Sequence, residues 1–178
     1  MLKTILIAIP VVIAGVLAYA ATLPDTFHVS RSLEVHSPRE SVFPLIADMQ
    51  RFNTWNPFNK KDPNIKGTYS GPTSGPGAKY AFEGNNDVGS GDLAIVDVAS
   101  PSRVTMKLDM LEPMRASNNI TFTLEPDGQG TRVTWAMEGQ MPYIGKVMHL
   151  VFNMDKMVGK DFENGLANLK ALAEKSAG

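Results

Sequence analysis

Few residues of this chain combine a reactive side chain with a position that would make it useful, and Asp155 is the foremost of them. It interrupts a stripe of apolar residues at helical spacing near the C-terminus. A carboxyl group on the buried face of a helix loses its hydration, which raises its pKa toward that of a general acid or base. We therefore take Asp155 as a catalytic candidate. Its structural alternative is an ion pair with Arg115, Arg132 or Lys156.

The remaining reactive residues offer less. Glu83 and Asp92 lie on predicted strands and are weaker candidates for proton transfer. No Ser–His–Asp combination and no pair of carboxylates occurs at a spacing that indicates catalysis. The chain has no Cys, and His28, His36 and His149 lie far apart, so the usual ligands of zinc and iron–sulfur centres are missing. We expect neither a metal nor a cofactor.

The overall charge excludes another class of function. Seventeen basic and eighteen acidic residues give a formal net charge of −1, and 43% of the residues are hydrophobic. Nucleic-acid binding needs a basic field, which this chain does not have. The composition is that of an ordinary globular protein, and nucleic acid is not an expected partner.

Residues 1–24 form a separate apolar segment of the 178-residue chain. The stretch from Ile5 to Leu23 contains no charged residue and would span about 28 Å as a helix, close to the thickness of a bilayer core. Lys3 and the terminal amine precede it, which favours insertion with the N-terminus inside and the rest of the chain on the extracytoplasmic, periplasmic side.

Two interpretations of this segment remain open. It is either an uncleaved transmembrane signal anchor, in which Pro10 is tolerated, or a signal peptide cleaved after Ala18-Tyr19-Ala20, which would release a secreted domain. We favour the anchor. Both interpretations export the domain formed by residues 25–178.

The exported part has the patterning of an α+β protein and begins with a strand. Residues Phe27–His36 alternate and are rich in β-branched and aromatic side chains. Ser37, Pro38 and Glu40 then have the spacing of a capping box, which predicts a helix that ends near Asp48.

A meander follows a loop over residues 57–77, which is rich in Pro and Gly and holds at most one short strand. Alternation on one face predicts an antiparallel sheet with one covered face. The predicted strands of the meander are Lys79–Gly84, Ser90–Val98, Arg103–Leu111, Asn119–Glu125 and Thr131–Glu138.

A single long helix from Ile144 to about Lys175 is predicted to cover that face, since the apolar period there becomes helical and no Pro occurs. The compact solution is a curved antiparallel sheet wrapped around one long C-terminal helix.

A cavity between such a helix and sheet would bind apolar ligands. Eight of the ten Met residues lie between Met106 and Met157, and flexible thioethers favour an adaptable cavity over an ordinary core, which is the structural alternative. Aromatic residues of a second short helix and of the 57–77 loop would form its rim. The candidate ligand-binding residues are Trp55, Phe58, Tyr80, Phe82, Met106, Leu108, Met110, Phe122, Trp135, Met137, Met148 and Phe152.

Four phrases carry a resemblance to a known family. They are SPRESVFPLIADMQRFNTWNPF (37–58), TYSGPTSGPGAKYAFEGN (68–85), GTRVTWAMEG (130–139) and DKMVGKDFENGLANLK (155–170). In this order and spacing they resemble the SRPBCC (START/helix-grip) superfamily, in particular its bacterial polyketide cyclase/dehydrase-like branch. The resemblance implies the helix-grip fold over about residues 27–175. Its members include lipid carriers, hormone receptors, aromatic-ring enzymes and chaperone activators.

Three functions therefore compete. The leading hypothesis is a membrane-anchored, extracytoplasmic domain that binds a lipid or other hydrophobic small molecule. The second is a cyclase- or dehydratase-like enzyme acting on an aromatic or polyketide-like substrate, with Asp155 or Glu83 moving protons. The third is a protein-interaction module, which requires a filled core and an exposed apolar patch on the outer face of the sheet.

Overall fold

One antiparallel sheet of seven strands dominates the computed structural model, which describes residues 2–151 and 154–175. Within that description, the side chains of residues 2–9, 11, 149, 151 and 154 are not placed. The strands, in chain order, are β1 Thr26–Val35, β2 Lys66–Ser70, β3 Lys79–Glu83, β4 Ser90–Ala99, β5 Arg103–Glu112, β6 Ala116–Asp127 and β7 Gly130–Gln140. Their spatial order is β1-β7-β6-β5-β4-β3-β2. The predicted α+β class and meander are confirmed.

Six helices accompany the sheet in the described residues. They are α1 Leu2–Thr22, α2 Arg39–Ala47, α3 Met49–Trp55, α4 Pro57–Lys61, α5 Tyr143–Val151 and α6 Met154–Lys175. Helices α2, α3 and α6 pack on the concave face of the sheet, and α6 makes its most extensive sheet contact with β1.

The predicted capping box at the start of α2 was wrong. The helix begins at Arg39 after Pro38, and no side chain caps it. The hydroxyl of Ser37 is buried without a partner, because this residue turns its backbone carbonyl toward β7, where it accepts a hydrogen bond from Thr131 Oγ1 at 2.7 Å.

Helix α4 lies inside the segment that was predicted to be a loop. Pro57 occupies its first turn, and the side chain of Asn56 caps it by accepting a hydrogen bond from the backbone N–H of Phe58. A proline at the first helical position costs no hydrogen bond, so the residue that indicates a loop elsewhere starts a helix here.

The predicted C-terminal helix corresponds to α5 and α6, which lie on either side of residues 152–153, outside the described residues. Helix α5 packs against α1. The Tyr143 hydroxyl donates to the carbonyl oxygen of Leu17 at 2.8 Å, and the buried Lys146 pairs with Asp25 at 2.6 Å. These contacts hold α5 beside the N-terminal helix.

Helix α1 covers Leu2–Thr22 of the N-terminal segment. Among residues described with their side chains, which in α1 are Pro10 and residues 12–22, no helix is both long and apolar enough to cross a membrane.

Aromatic side chains fill the centre of the core. Trp135 of β7 stacks on Phe162 of α6 with ring centroids 4.2 Å apart and planes 10° from parallel. Phe52 and Trp55 of α3 meet Phe122 and Trp135 edge-on at 5.8–6.4 Å. These contacts hold both helices on the sheet, because aromatic pairs add stability beyond the area they bury.

Arg31 fastens the beginning of α6 to β1. Its guanidinium lies 3.1 Å from Asp155 and 3.1 Å from Glu163, and it packs where a side chain on Gly159 would stand. The hydrogen bond to Asp155, followed by that to Glu163, raises the pKa of Arg31 above its ordinary value.

Gly165 sets the distance between α6 and the sheet, which yields a prediction. A Cβ at this position would lie 2.6 Å from the Trp135 ring and 3.0 Å from Pro57. Gly165→Ala should therefore lower the free energy of unfolding by about 1–3 kcal/mol through overpacking, although Gly→Ala normally stabilises a helix by about 1 kcal/mol.

The measurement is denaturant unfolding of the parent and of Gly165→Ala. The control is Asn164→Ala, at an exposed position on the same helix. We expect the control to be neutral or stabilising. Stabilisation by both variants would show that α6 does not approach the sheet this closely.

A second prediction concerns Glu174, which ties the end of α6 to the end of β1. The hydrogen bond from the His36 backbone N–H, at 2.8 Å, lowers the pKa of Glu174, and Lys170 lowers it further. A carboxyl whose pKa is lower in the folded than in the unfolded state stabilises the fold at pH values above its unfolded-state pKa. This stabilisation is lost as the pH falls through its folded-state pKa. Glu174→Gln should therefore be less stable than the parent at pH 7, and the difference should vanish as the pH is lowered toward 3.

Unfolding curves collected from pH 7 to 3 test this, with Glu138→Gln, an exposed carboxyl on β7, as the control. A stability difference that stays constant over that range would contradict the role given to the Glu174 charge.

Candidate functional site

A cavity of about 370 Å³ lies between the concave face of the sheet and helix α6. The aromatic cluster around Trp135 borders it, since Phe52, Trp135 and Phe162 line the cavity. Its walls come from β3 to β7 and from helices α3, α4 and α6. Apart from a few polar groups, the wall is apolar, as in cavities that bind hydrophobic small molecules.

The sheet contributes side chains arranged in a row across neighbouring strands. In register order these residues are Tyr80, Leu93, Leu108 and Asn118, followed by Gly139 on β7. The first four line the cavity. Side chains that are cross-strand neighbours share one face of a sheet, so strand register brings residues from five strands to one wall.

The cavity opens at one end of the sheet. Asn86, Asp87 and Pro113 line it and are exposed, and they belong to the loops that join β3 to β4 and β5 to β6. The strand ends at these loops lie at the same end as the start of β1, where Thr26 pairs with Gln140. Helices α1 and α5 join the sheet there too.

Two residues that line the cavity each have a polar atom buried without a hydrogen-bond partner, Asn118 Oδ1 and Trp135 Nε1. Asn118 is only 7% exposed and lies on the inward face of β6. Burial raises the pKa of the Tyr80 phenol, and the neighbouring Tyr69 raises it further, against a hydrogen bond with Asn59 that lowers it. At neutral pH this phenol is therefore uncharged.

Seven of the twelve predicted ligand-binding residues line this cavity. They are Phe58, Tyr80, Phe82, Leu108, Met110, Trp135 and Met137. Whether they bind a ligand stays a prediction.

The other predicted wall residues lie elsewhere. Met106 and Phe122 are fully buried in the packed core, beside Trp55, whose indole N–H donates to the carbonyl oxygen of Leu45 at 2.8 Å. Met148 is 45% exposed on α5. Phe152 lies outside the described residues.

The three carboxylates considered for catalysis all lie outside the cavity. Asp155 is in the first turn of α6, its side chain is 53% exposed, and its partner is Arg31, so the prediction of a desolvated carboxyl was wrong. The structural alternative, an ion pair with a basic residue, is present, but its arginine, Arg31, was not among the predicted partners. Glu83 is exposed at the end of β3, and Asp92 pairs with Lys79 at 3.2 Å.

Several cavity residues were missed by the sequence reasoning. They are Phe52, Asn56, Asn59, Ile65, Asn86, Asp87, Val88, Leu93, Pro113, Asn118, Ile120, Val158 and Phe162. Asn118 and Ile120 could have been found, because they continue the alternation of Phe122 toward the start of β6. The loop residues had no periodic signal.

Metal binding has no support in the part of the chain that is described. No group of three or more His, Asp or Glu side chains there lies close enough to hold a metal ion.

Comparison with solved structures shows the same fold in other proteins. A protein from Mesorhizobium loti matches with a TM-score of 0.61 and 13% identity, covering 84% of this chain and 98% of its own. One from Chromobacterium violaceum gives 0.59 and 16%, covering 85% and 99%. DynU16, a protein in the dynemicin biosynthetic locus, gives 0.59 and 16%, covering 86% of this chain and 49% of its own.

Sequence comparison identifies the family. No curated protein sequence matches the chain. A family model described as polyketide cyclase/dehydrase and lipid transport matches residues 26–174, which include the whole sheet and nearly all of α6. This agrees with the SRPBCC-type resemblance and with the helix-grip arrangement of sheet and C-terminal helix. The chain therefore belongs to the polyketide cyclase/dehydrase and lipid transport family.

Proposed function

We propose that this protein is a membrane-anchored, extracytoplasmic domain that binds a lipid or other hydrophobic small molecule in the cavity under α6. The observation that carries the binding function is the cavity itself, about 370 Å³ of largely apolar space that opens at one end of the sheet. A well-packed core leaves few voids larger than a water molecule, so a space of this size has a use other than stability.

The cavity favours binding over a cyclase- or dehydratase-like reaction. Among its described lining residues the only carboxylic acid is Asp87, which is exposed at the mouth. The carboxyls for which proton transfer was considered, Asp155 and Glu83, face solvent or a basic partner. General acid–base chemistry needs a proton-transfer group within reach of the bound substrate.

The outer face of the sheet speaks against a protein-interaction module. It carries charged and hydroxyl side chains, including the ion pairs Lys79–Asp92 and Lys107–Asp109. The inner face encloses a cavity beside its packed aromatic core. An interaction module would need the opposite arrangement, with a packed interior and an apolar outer patch.

Anchoring is supported by the uncharged stretch from Ile5 to Leu23 and by the position of the cavity mouth. Helix α1 leads into β1 at the end of the sheet where the cavity opens. Leu111 near the end of β5 and Met114 of the β5–β6 turn, 51% and 53% exposed, lie at this end, as does Ile144 of α5, 55% exposed. An anchored domain would thus hold its cavity mouth near the bilayer, where an apolar ligand is concentrated.

Filling the cavity should abolish binding. Leu108→Trp places an indole in the middle of the wall, and we expect the affinity for N-phenyl-1-naphthylamine, a neutral apolar fluorophore, to fall at least about tenfold. The measurement is a fluorescence titration of the purified protein, with thermal unfolding to verify the fold.

Leu111→Trp is the matched control, since it adds the same side chain to an exposed position of the same strand. It should bind the fluorophore as the parent does. If the parent binds no better than Leu108→Trp, the cavity is not a ligand site.

Anchoring is tested on the full chain expressed in a Gram-negative host. We expect the protein in the membrane fraction, where it should resist carbonate extraction and keep the mass of the full chain. The domain should be accessible to protease once the outer membrane is permeabilised. Ile13→Arg should move it out of the membrane, because a central arginine costs about 2.5–3.5 kcal/mol of insertion energy. His28→Arg, outside the segment, is the control.

The other outcomes decide between the alternatives. A soluble periplasmic protein that begins at Ala21 would support the signal peptide instead of the anchor. A protein protected inside the cytoplasm would overturn export altogether.

A further inference from the structure

Asn118 brings a carboxamide into an otherwise apolar stretch of the cavity wall. Its neighbours on the same strand face are Ile120 and Phe122, and its cross-strand neighbour is Leu108. Only 7% of the residue is exposed, and its Oδ1 has no hydrogen-bond partner. A buried polar group without a partner costs stability, so this position is unfavourable to the empty protein.

The surrounding structure accommodates this side chain. Gly139 stands opposite Asn118 on β7, and a Cβ on Gly139 would lie 2.1 Å from Asn118 Oδ1. Any larger residue at position 139 would displace the Asn118 amide. Strand β7 therefore has a glycine, with no side chain, directly opposite Asn118. The glycine thus leaves space for the Asn118 amide in the cavity wall.

The charges around the cavity complete the pattern. Among the described lining residues only Asp87 is charged, and it stands at the mouth. Lys61 lies over the ring of the lining residue Phe58, 5.2 Å from its centroid, and already pairs with Asp161 at 2.7 Å. An anionic ligand would pass a carboxylate and then be buried without a countercharge, which is strongly unfavourable.

We propose that the cavity selects neutral amphiphiles, with an apolar body and one hydroxyl or carbonyl group that hydrogen-bonds Asn118, over carboxylates of the same size. A carboxamide offers both donors and an acceptor, so either group fits. This inference rests on the proposed binding function and names its ligand class.

The test compares 1-decanol with decanoate at pH 8 as competitors of N-phenyl-1-naphthylamine. The two have the same chain length and differ in the charge of the head group. We expect decanol to compete at least about tenfold more effectively. Asn118→Leu, of similar size, should weaken decanol about three- to tenfold relative to the fluorophore, the value of one hydrogen bond.

Asn119→Leu is the matched control, because it makes the same change one residue along β6 on the exposed face. Its decanol affinity should equal that of the parent. Asn118→Leu should also be at least as stable to denaturant as the parent, since it removes an unpaired buried polar group, whereas a purely structural Asn118 would make it less stable.

Provided that the fluorophore binds the parent, either of two results would overturn the inference. One is equal competition by decanoate and decanol, and the other is an unchanged decanol affinity in Asn118→Leu. If neither the fluorophore nor either competitor binds the parent, the proposed binding function fails and the selectivity fails with it. The two failures are therefore distinguishable.

Discussion

The stacking of Trp135 on Phe162 is the contact on which the rest of the domain depends. It joins the centre of β7 to the middle of α6 at a ring separation of 4.2 Å, and Gly165, one turn further along the helix, allows the backbone to come this close. Because α6 is held here, the space on one side of the contact is filled by Phe52, Trp55 and Phe122. The space on the other side stays open as the cavity.

A second constraint comes from the antiparallel register. The row from Tyr80 through Leu93 and Leu108 to Asn118 exists only because four strands pair without slipping at these positions. A shift of one residue would turn every one of these side chains to the outer face. Ligand selectivity in this domain is therefore a property of strand pairing as much as of the residues themselves.

The strands and most of their limits could be predicted from the sequence, because alternation is a local signal that one covered face imposes. The division of the inner face into core and cavity could not. Met106 and Leu108 follow the same alternation and differ only in their distance from the point where α6 is held. That distance is set by Gly165 and Trp135, which lie far from both in the sequence.

Asp155 shows the same limit from the opposite direction. Its place in an apolar stripe predicted burial, but its side chain is 53% exposed and paired with Arg31. The arginine partner lies on the first strand, and no local pattern indicates a contact across 124 residues.

The open part of the interior has a consequence for the lifetime of the protein. An unfilled apolar cavity forgoes the dispersion contacts that its lining would otherwise make, and a bound molecule stabilises the folded state by an amount that grows with its concentration. The empty form is then the one that opens most often, and proteases act on opened chains. A cell would thereby clear unloaded copies faster than loaded ones, so the abundance of the protein would follow the supply of its ligand without any dedicated regulator.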